Sequence, residues 1–326
     1  MAQKQDWQEV SGDRLQELEP LASPRAVRQE VPRLGYFMTT ELCELSCAMC
    51  HFNGPNASRR GATTTDPALV RKVLAGRPKG EKIWFVATGE FFNDPCALDY
   101  LREAASLGLS AGVITHGQSL TPPFIDQVLE TGLKEILLSV DSIDPDPYAR
   151  IRRGGHLNVL LDACRYLREQ KLRGRDITVG VTTICFPRSR HTRAEVEDFW
   201  RDRVDYVQFV SEYRDVFRLR RLFWLPEKRT ACPVELIPLP SGHVAPCCAV
   251  AIYSHDHDVS WLPHLSQVTP EEAHRSLCDM YEDPGSALAA LCSNCDWWVQ
   301  FHVNEQGNTP IFERVHFEAR RSSRPG

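Results

Sequence analysis

The chain lacks any apolar run near the ~18 residues that a membrane-spanning helix needs. Its opening stretch, MAQKQDWQEVSGDRLQELEP, lacks the apolar centre of a secretion signal. A cytoplasmic location is the expectation. Charge of one sign is also scarce: 38 Lys and Arg against 43 Asp and Glu leave −5 over 326 residues. No basic stripe develops beyond the short cluster RLRRLF, which argues against a nucleic-acid partner, and no membrane partner is expected. Cysteine, by contrast, is plentiful, with twelve in the chain. A reducing cytosol disfavours structural disulfides, so these thiols point to metal ligation or redox chemistry.

From about residue 34 to 212 strand-like and helix-like segments alternate. The strand-like runs are GYFMTTEL, KIWFVATG, SAGVITHG, KEILLSVDS, DITVGVTTICF and VDYVQFVSE, several apolar almost throughout, as in a parallel sheet covered on both faces. Between them, Asp66 and Pro67 mark a helix start, Gly132 marks a helix end, and Leu157, Leu160, Leu161, Cys164 and Leu167 share one helical face. Six such units make an open doubly wound sheet or an incomplete barrel, with the chemistry at the C-terminal ends of the strands in either case. After about residue 225 the rhythm stops. A short hairpin, irregular chain and a helix capped by Thr269 are expected there, and APCCAV (residues 245–250) reads as a short strand.

Directly after the first strand comes CELSCAMC, which sets Cys43, Cys47 and Cys50 at x3 then x2 spacing. Structural zinc takes four ligands in paired spacings. Three thiolates in one tight loop suit a [4Fe–4S] cube with one iron left for an outside ligand.

This loop resembles that of the radical S-adenosylmethionine (SAM) enzymes. The resemblance implies an α/β fold, a partial (β/α)6 TIM barrel, with SAM as co-substrate on the open iron. It also implies an external electron donor such as flavodoxin or ferredoxin. Gly89 and Glu90 of ATGEFFNDP match the segment that holds the SAM amino group, with Thr88 in place of a first glycine. LSVDS resembles the ribose-contacting segment, which makes Ser139 and Asp141 candidates; an ordinary strand end is the alternative. RIRRGG offers Arg152 or Arg153 to the SAM carboxylate. Met49 stands where the family usually has an aromatic, and a thioether can pack on adenine.

Cys232 and Cys247 enclose a Cys-x9-Gly-x4-Cys pattern around Gly242, and Cys292 and Cys295 follow. The pattern resembles the small SPASM or twitch-like iron–sulfur domain appended to some of these enzymes. It implies a second [4Fe–4S] cluster on Cys232, Cys247, Cys292 and Cys295; a zinc ribbon on the same four is the competing reading. The expected divisions are 1–33 (extension), 34–225 (barrel), 226–315 (auxiliary-cluster domain) and 316–326 (tail).

Cys248 is left over beside a committed neighbour. An S–H bond is weaker than an alcohol or ether C–H, so this thiol can return a hydrogen atom to a carbon radical from the far face and invert it. That resembles the radical SAM carbohydrate epimerases and implies a small-molecule substrate, a sugar or aminoglycoside-like metabolite. The alternatives are a radical SAM dehydrogenase of the twitch type, which needs no donor thiol, and Cys248 as a small buried apolar residue. Cys185 is a rival donor.

Overall fold

The computed structural model describes residues 25–54, 63–185, 191–211, 231–292 and 312–317. In chain order the strands are β1 (Arg25–Val27), β2 (Phe37–Met38), β3 (Lys82–Val86), β4 (Ser110–Thr115), β5 (Glu135–Ser139), β6 (Thr178–Cys185), β7 (Tyr206–Ser211), β8 (Ala231–Pro233), β9 (Ile237–Pro238), β10 (Val244–Ala245) and β11 (Phe312–His316). The helices are α1 (Pro67–Ala75), α2 (Ala97–Ser106), α3 (Pro122–Glu130), α4 (Pro145–Ile151), α5 (Leu157–Leu172), α6 (Arg193–Trp200), α7 (Cys248–Tyr253), α8 (Pro270–Glu282) and α9 (Ala287–Cys292).

Each of the six apolar runs contains one strand of a parallel array. The sheet order is β11-β7-β6-β5-β4-β3-β2, with β2 to β7 all parallel. Local signals set the helix limits between them. Asp66 accepts from the Ala68 N–H at 2.9 Å with Pro67 at the first helical position. Gly132, with φ +86°, follows α3, and Thr269 and Glu272 form a reciprocal capping box at α8. On α5, Leu157, Leu160, Cys164 and Leu167 are buried against the sheet.

Strand alternation divides the sheet into two faces. Ile83, Phe85, Val113, Ile136, Leu138 and Val181 form one face and are buried with the helices. The other residues, Trp84, Glu135, Thr182, Gln208 and Arg314 among them, share the inner face through the register pairs of β3 to β7 and β11. Tyr36 joins that inner row, because its neighbour Phe37 stacks outward on Phe85 at 5.9 Å. Gly180 makes room here: a Cβ on it would lie 2.2 Å from the Tyr206 ring. Gly180→Ala should therefore overpack the inner face and cost about 1–3 kcal/mol, read as a lower urea midpoint with unchanged slope.

Three features depart from the sequence reading. APCCAV is not a strand throughout: β10 ends at Ala245, Pro246 has no N–H for a ladder, and Cys248 opens α7 with Cys247 as its extended N-cap residue. Ala249, Val250 and Ala251 then bury one side of that helix. Residues 312–316 return to the main sheet as β11, antiparallel to β7. β1, within the expected N-terminal extension, pairs in parallel with β8. Gly242, with φ +86°, turns the chain between β9 and β10, where a side chain would be strained. Residues 1–24 of the expected extension, Cys295 and the residues after 317 lie outside the described residues, as does the side chain of Cys232.

Candidate active site

The loop that follows β2 carries the three cysteines and is tied down on two sides. Ser46 and Ala48 donate backbone bonds to Arg153 O (3.0 Å) and Ile151 O (2.7 Å) at the end of α4. On the other side, Gly89 and Glu90 donate to Thr40 O (3.1 Å) and Leu42 O (2.7 Å). A Cβ on Gly89 would sit 2.2 Å from Leu42 O, so only glycine permits this close approach. Within the loop the Cys50 N–H donates to Cys47 O (3.0 Å), and the Asn53 N–H donates to Cys50 Sγ (3.2 Å).

Cys43 and Cys47 are electrostatic neighbours, as are Cys47 and Cys50. Burial pushes the Cys43 thiol up to about 12 and raises Cys47, the latter opposed by the nearby Arg152 charge. Three neighbouring sulfurs, two of them (Cys43 and Cys50) held by backbone N–H groups of Leu45 and Asn53, fit a thiolate-ligated iron–sulfur cluster.

Around this loop the sequence-derived residues gather. Glu90 is 2% exposed. Its Oε1 accepts from Thr115 Oγ1 (2.6 Å) and Phe92 N (3.2 Å), and its Oε2 from His116 N (2.8 Å). Arg152, not the exposed Arg153, turns inward. Its Nε donates to Asp141 Oδ2 at 2.6 Å, while Asp141 Oδ1 accepts from Ile184 N at 3.0 Å. Asp141 thus links the ends of β5 and β6 to a buried guanidinium. Ser139 ends β5 on the inner face, paired with Thr182, and Met49 is half-buried in the loop. Asp141→Ala would strand Arg152 without its partner and should cost about 3–5 kcal/mol, with SAM binding weakened more than iron content; equilibrium unfolding and iron analysis read the two separately.

Sequence reasoning missed His116. It follows β4, is 5% exposed, and brings Nε2 to 3.3 Å from both Glu44 Oε2 and Glu90 Oε2, without hydrogen-bond geometry to either. Its Nδ1 accepts from the Gln118 N–H (3.1 Å), which sets the tautomer with the proton on Nε2. The proximity of His116, together with the Asn93 amide that donates to Glu44 Oε2 at 2.7 Å, holds the Glu44 carboxyl down to about 2. One sequence signal existed: a histidine at the C-terminal end of a predicted barrel strand.

At the other end of β2 lies a second group. Cys248, the first residue of α7, has Glu235 and Tyr36 as electrostatic neighbours, and burial pushes its thiol up to about 12. Glu235 also faces Arg33, with Oε1 3.4 Å from Nε. After the end of α7 the chain reaches the cysteine loop: His255 packs edge-on against Phe52 at 5.0 Å, and Asp256 pairs with His51 at 2.9 Å. α7 therefore bridges the Tyr36 end of β2 and the cysteine loop. Cys247 precedes it, Cys292 ends α9, and β8 carries Cys232. Cys164 and Cys278 are buried, Cys278 with its sulfur 3.7 Å from His274 Nε2, and Cys96 precedes α2. Cys185 pairs through its backbone with Ser211.

A parallel, partly closed α/β barrel with three cysteines in the loop after its first parallel strand defines an iron–sulfur enzyme of the SAM-cleaving kind. The family model described as Radical SAM superfamily matches residues 37–199, and the chain belongs to that superfamily. Membership brings a [4Fe–4S] cluster and SAM. Among curated relatives, a GTP 3',8-cyclase of Marinobacter nauticus is 24% identical over 173 residues, which is 53% of this chain and 52% of that one. An AdoMet-dependent heme synthase of Methanosarcina barkeri is 25% identical over 123 residues, 37% of this chain and 34% of the relative. The chain thus spans about half the length, or less, of the curated relatives it matches.

Among solved structures, Streptococcus suis SuiB bound to its precursor peptide SuiA superposes with a TM-score of 0.54 at 13% identity, covering 85% of this chain and 70% of that one. Native anSMEcpe with bound AdoMet gives 0.54 at 12% identity, covering 81% and 86%. At such identities these two structures speak for the fold. Among the described residues no helix is long and apolar enough to cross a membrane.

Proposed function

We propose that the protein is a radical SAM epimerase that inverts a carbon centre of a sugar-like metabolite. The observation that carries this reading is the position of Cys248: a thiol at the start of α7, beside Tyr36 of the inner row, at the far end of β2 from the cysteine loop. Cys43, Cys47 and Cys50 would hold a [4Fe–4S] cluster that, with SAM, would supply the radical chemistry for removing one hydrogen atom from a substrate carbon. Gly89, Glu90, Ser139, Asp141, Arg152 and Met49 hold the SAM, with Arg152 oriented by Asp141. Cys248 then gives its sulfur-bound hydrogen atom to the planar carbon radical from the opposite side, which forms a C–H bond, breaks the S–H bond and inverts the centre.

The sulfur radical left on Cys248 regains its hydrogen by taking up one electron and one proton. In this reading Cys247 would hold, with Cys232, Cys292 and Cys295, an auxiliary [4Fe–4S] cluster, which would supply one-electron chemistry beside Cys248. An external reductant such as flavodoxin or ferredoxin would provide the electron.

The test is a comparison of wild-type and Cys248→Ala protein, reconstituted with iron and sulfide and reduced, on a panel of neutral, amino and acidic sugars. Inverted product from the wild type alone supports the reading. Ketone product from both proteins contradicts it and identifies a dehydrogenase.

A further inference from the structure

Arg314 lies on β11, the strand that returns from the far end of the chain to the edge of the barrel sheet. It pairs in register with Gln208, which pairs with Thr182, so its side chain belongs to the inner row. Three contacts fix it. Nε donates to Gln208 Oε1 at 2.7 Å, the guanidinium lies 5.0 Å over the Tyr206 ring, and Nη1 is 3.9 Å from Glu135 Oε1.

Glu135 does not neutralise this arginine. It already takes a short bond from Lys82 and another from the Tyr206 hydroxyl, so the Lys82 charge offsets it and the positive charge of Arg314 is left over. The Arg314 side chain keeps 38% of its surface exposed, and its Nη2 has no partner among the described residues. A guanidinium held at one edge with its terminal nitrogens available is a prepared fork for a planar or tetrahedral oxyanion. Arg314 is also an electrostatic neighbour of Tyr36, as Cys248 is.

We propose that Arg314, oriented by Gln208, binds an anionic group of the substrate, a carboxylate or a phosphate, and so selects acidic sugars over neutral or polycationic ones. The proposal deepens the epimerase reading by naming its substrate class, but its test involves no turnover.

Thermal unfolding of the cluster-loaded protein is followed against glucuronate, glucose 6-phosphate, glucose and glucosamine, because a ligand that binds the native state stabilises it by RT ln(1 + [L]/Kd) and so raises Tm as its concentration passes Kd. The two acids separate a carboxylate site from a phosphate site. At least one acid should raise Tm, with a shift that grows logarithmically with its concentration above Kd, while glucose and glucosamine should not. Arg314→Gln should weaken that acid about 10- to 100-fold, the loss expected when a charged hydrogen-bond partner is removed. Arg314→Lys keeps the charge without the fork and should fall between the two, which guards against a folding defect in the glutamine variant. Arg102→Gln, a helix-surface change, should bind as wild type does. Equal shifts from all four sugars, no shift from either acid, or acid binding unchanged in both Arg314 variants would overturn the proposal. A protein that binds acids this way yet forms no inverted product would sink the epimerase reading alone.

Discussion

Cys248→Ala should keep full iron content, consume SAM in the presence of substrate and form no inverted product. The expected loss is complete within detection, because alanine carries no hydrogen weak enough to transfer and the far side of the radical then has no donor. Deoxyadenosine should still appear, bearing a hydrogen taken from substrate. The structure makes this variant a clean one: Cys248 is the first residue of a helix whose buried side is built by Ala249, Val250 and Ala251, and alanine is a good helix former there. Loss of one buried sulfur should lower stability by about 1 kcal/mol, well short of unfolding. Cys185→Ala should leave the stereochemical outcome unchanged. The opposite pattern, with Cys248→Ala active and Cys185→Ala inactive, would move the donor to β6.

The second large effect concerns the cysteine loop. Replacing Cys43, Cys47 and Cys50 together by alanine should abolish SAM cleavage and remove one of two clusters, with the other retained on the C-terminal cysteines. The loop's backbone bonds to the ends of α4 and β3 do not depend on sulfur, so the barrel should survive. Iron analysis and the visible absorption of the variant read this directly. A triple variant that loses all its iron, or that carries zinc at the C-terminal cysteines, would contradict the two-cluster reading.

Much of this was legible because its causes are local. Asp66 with Pro67, and Thr269 with Glu272, set helix starts through contacts two or three residues away, and both stood where the sequence put them. The cysteine loop was legible through spacing alone, since one loop carries all three sulfurs. Cys248 was harder. The run APCCAVAIY satisfies a strand and a short helix almost equally, and the missing N–H of Pro246 together with burial of the alanines decided for the helix.

What remained hidden was assembled from distant parts of the chain. Glu235, Cys248 and Arg314 become electrostatic neighbours of Tyr36 only once the sheet is assembled and β11 has come back to its edge. The alternation of FERVH was present in the sequence, but the choice of which edge it would join belongs to the packed fold. His116 was hidden for a related reason: its neighbours Glu44 and Glu90 come from two other loops.

The most direct test of the account is the reaction run in deuterium oxide, with the product examined by mass spectrometry. A thiol hydrogen exchanges with solvent, so the inverted carbon should carry one deuterium, and one deoxyadenosine should form for each product molecule. Product free of deuterium, or lighter than substrate by two hydrogens, would contradict hydrogen-atom donation from Cys248.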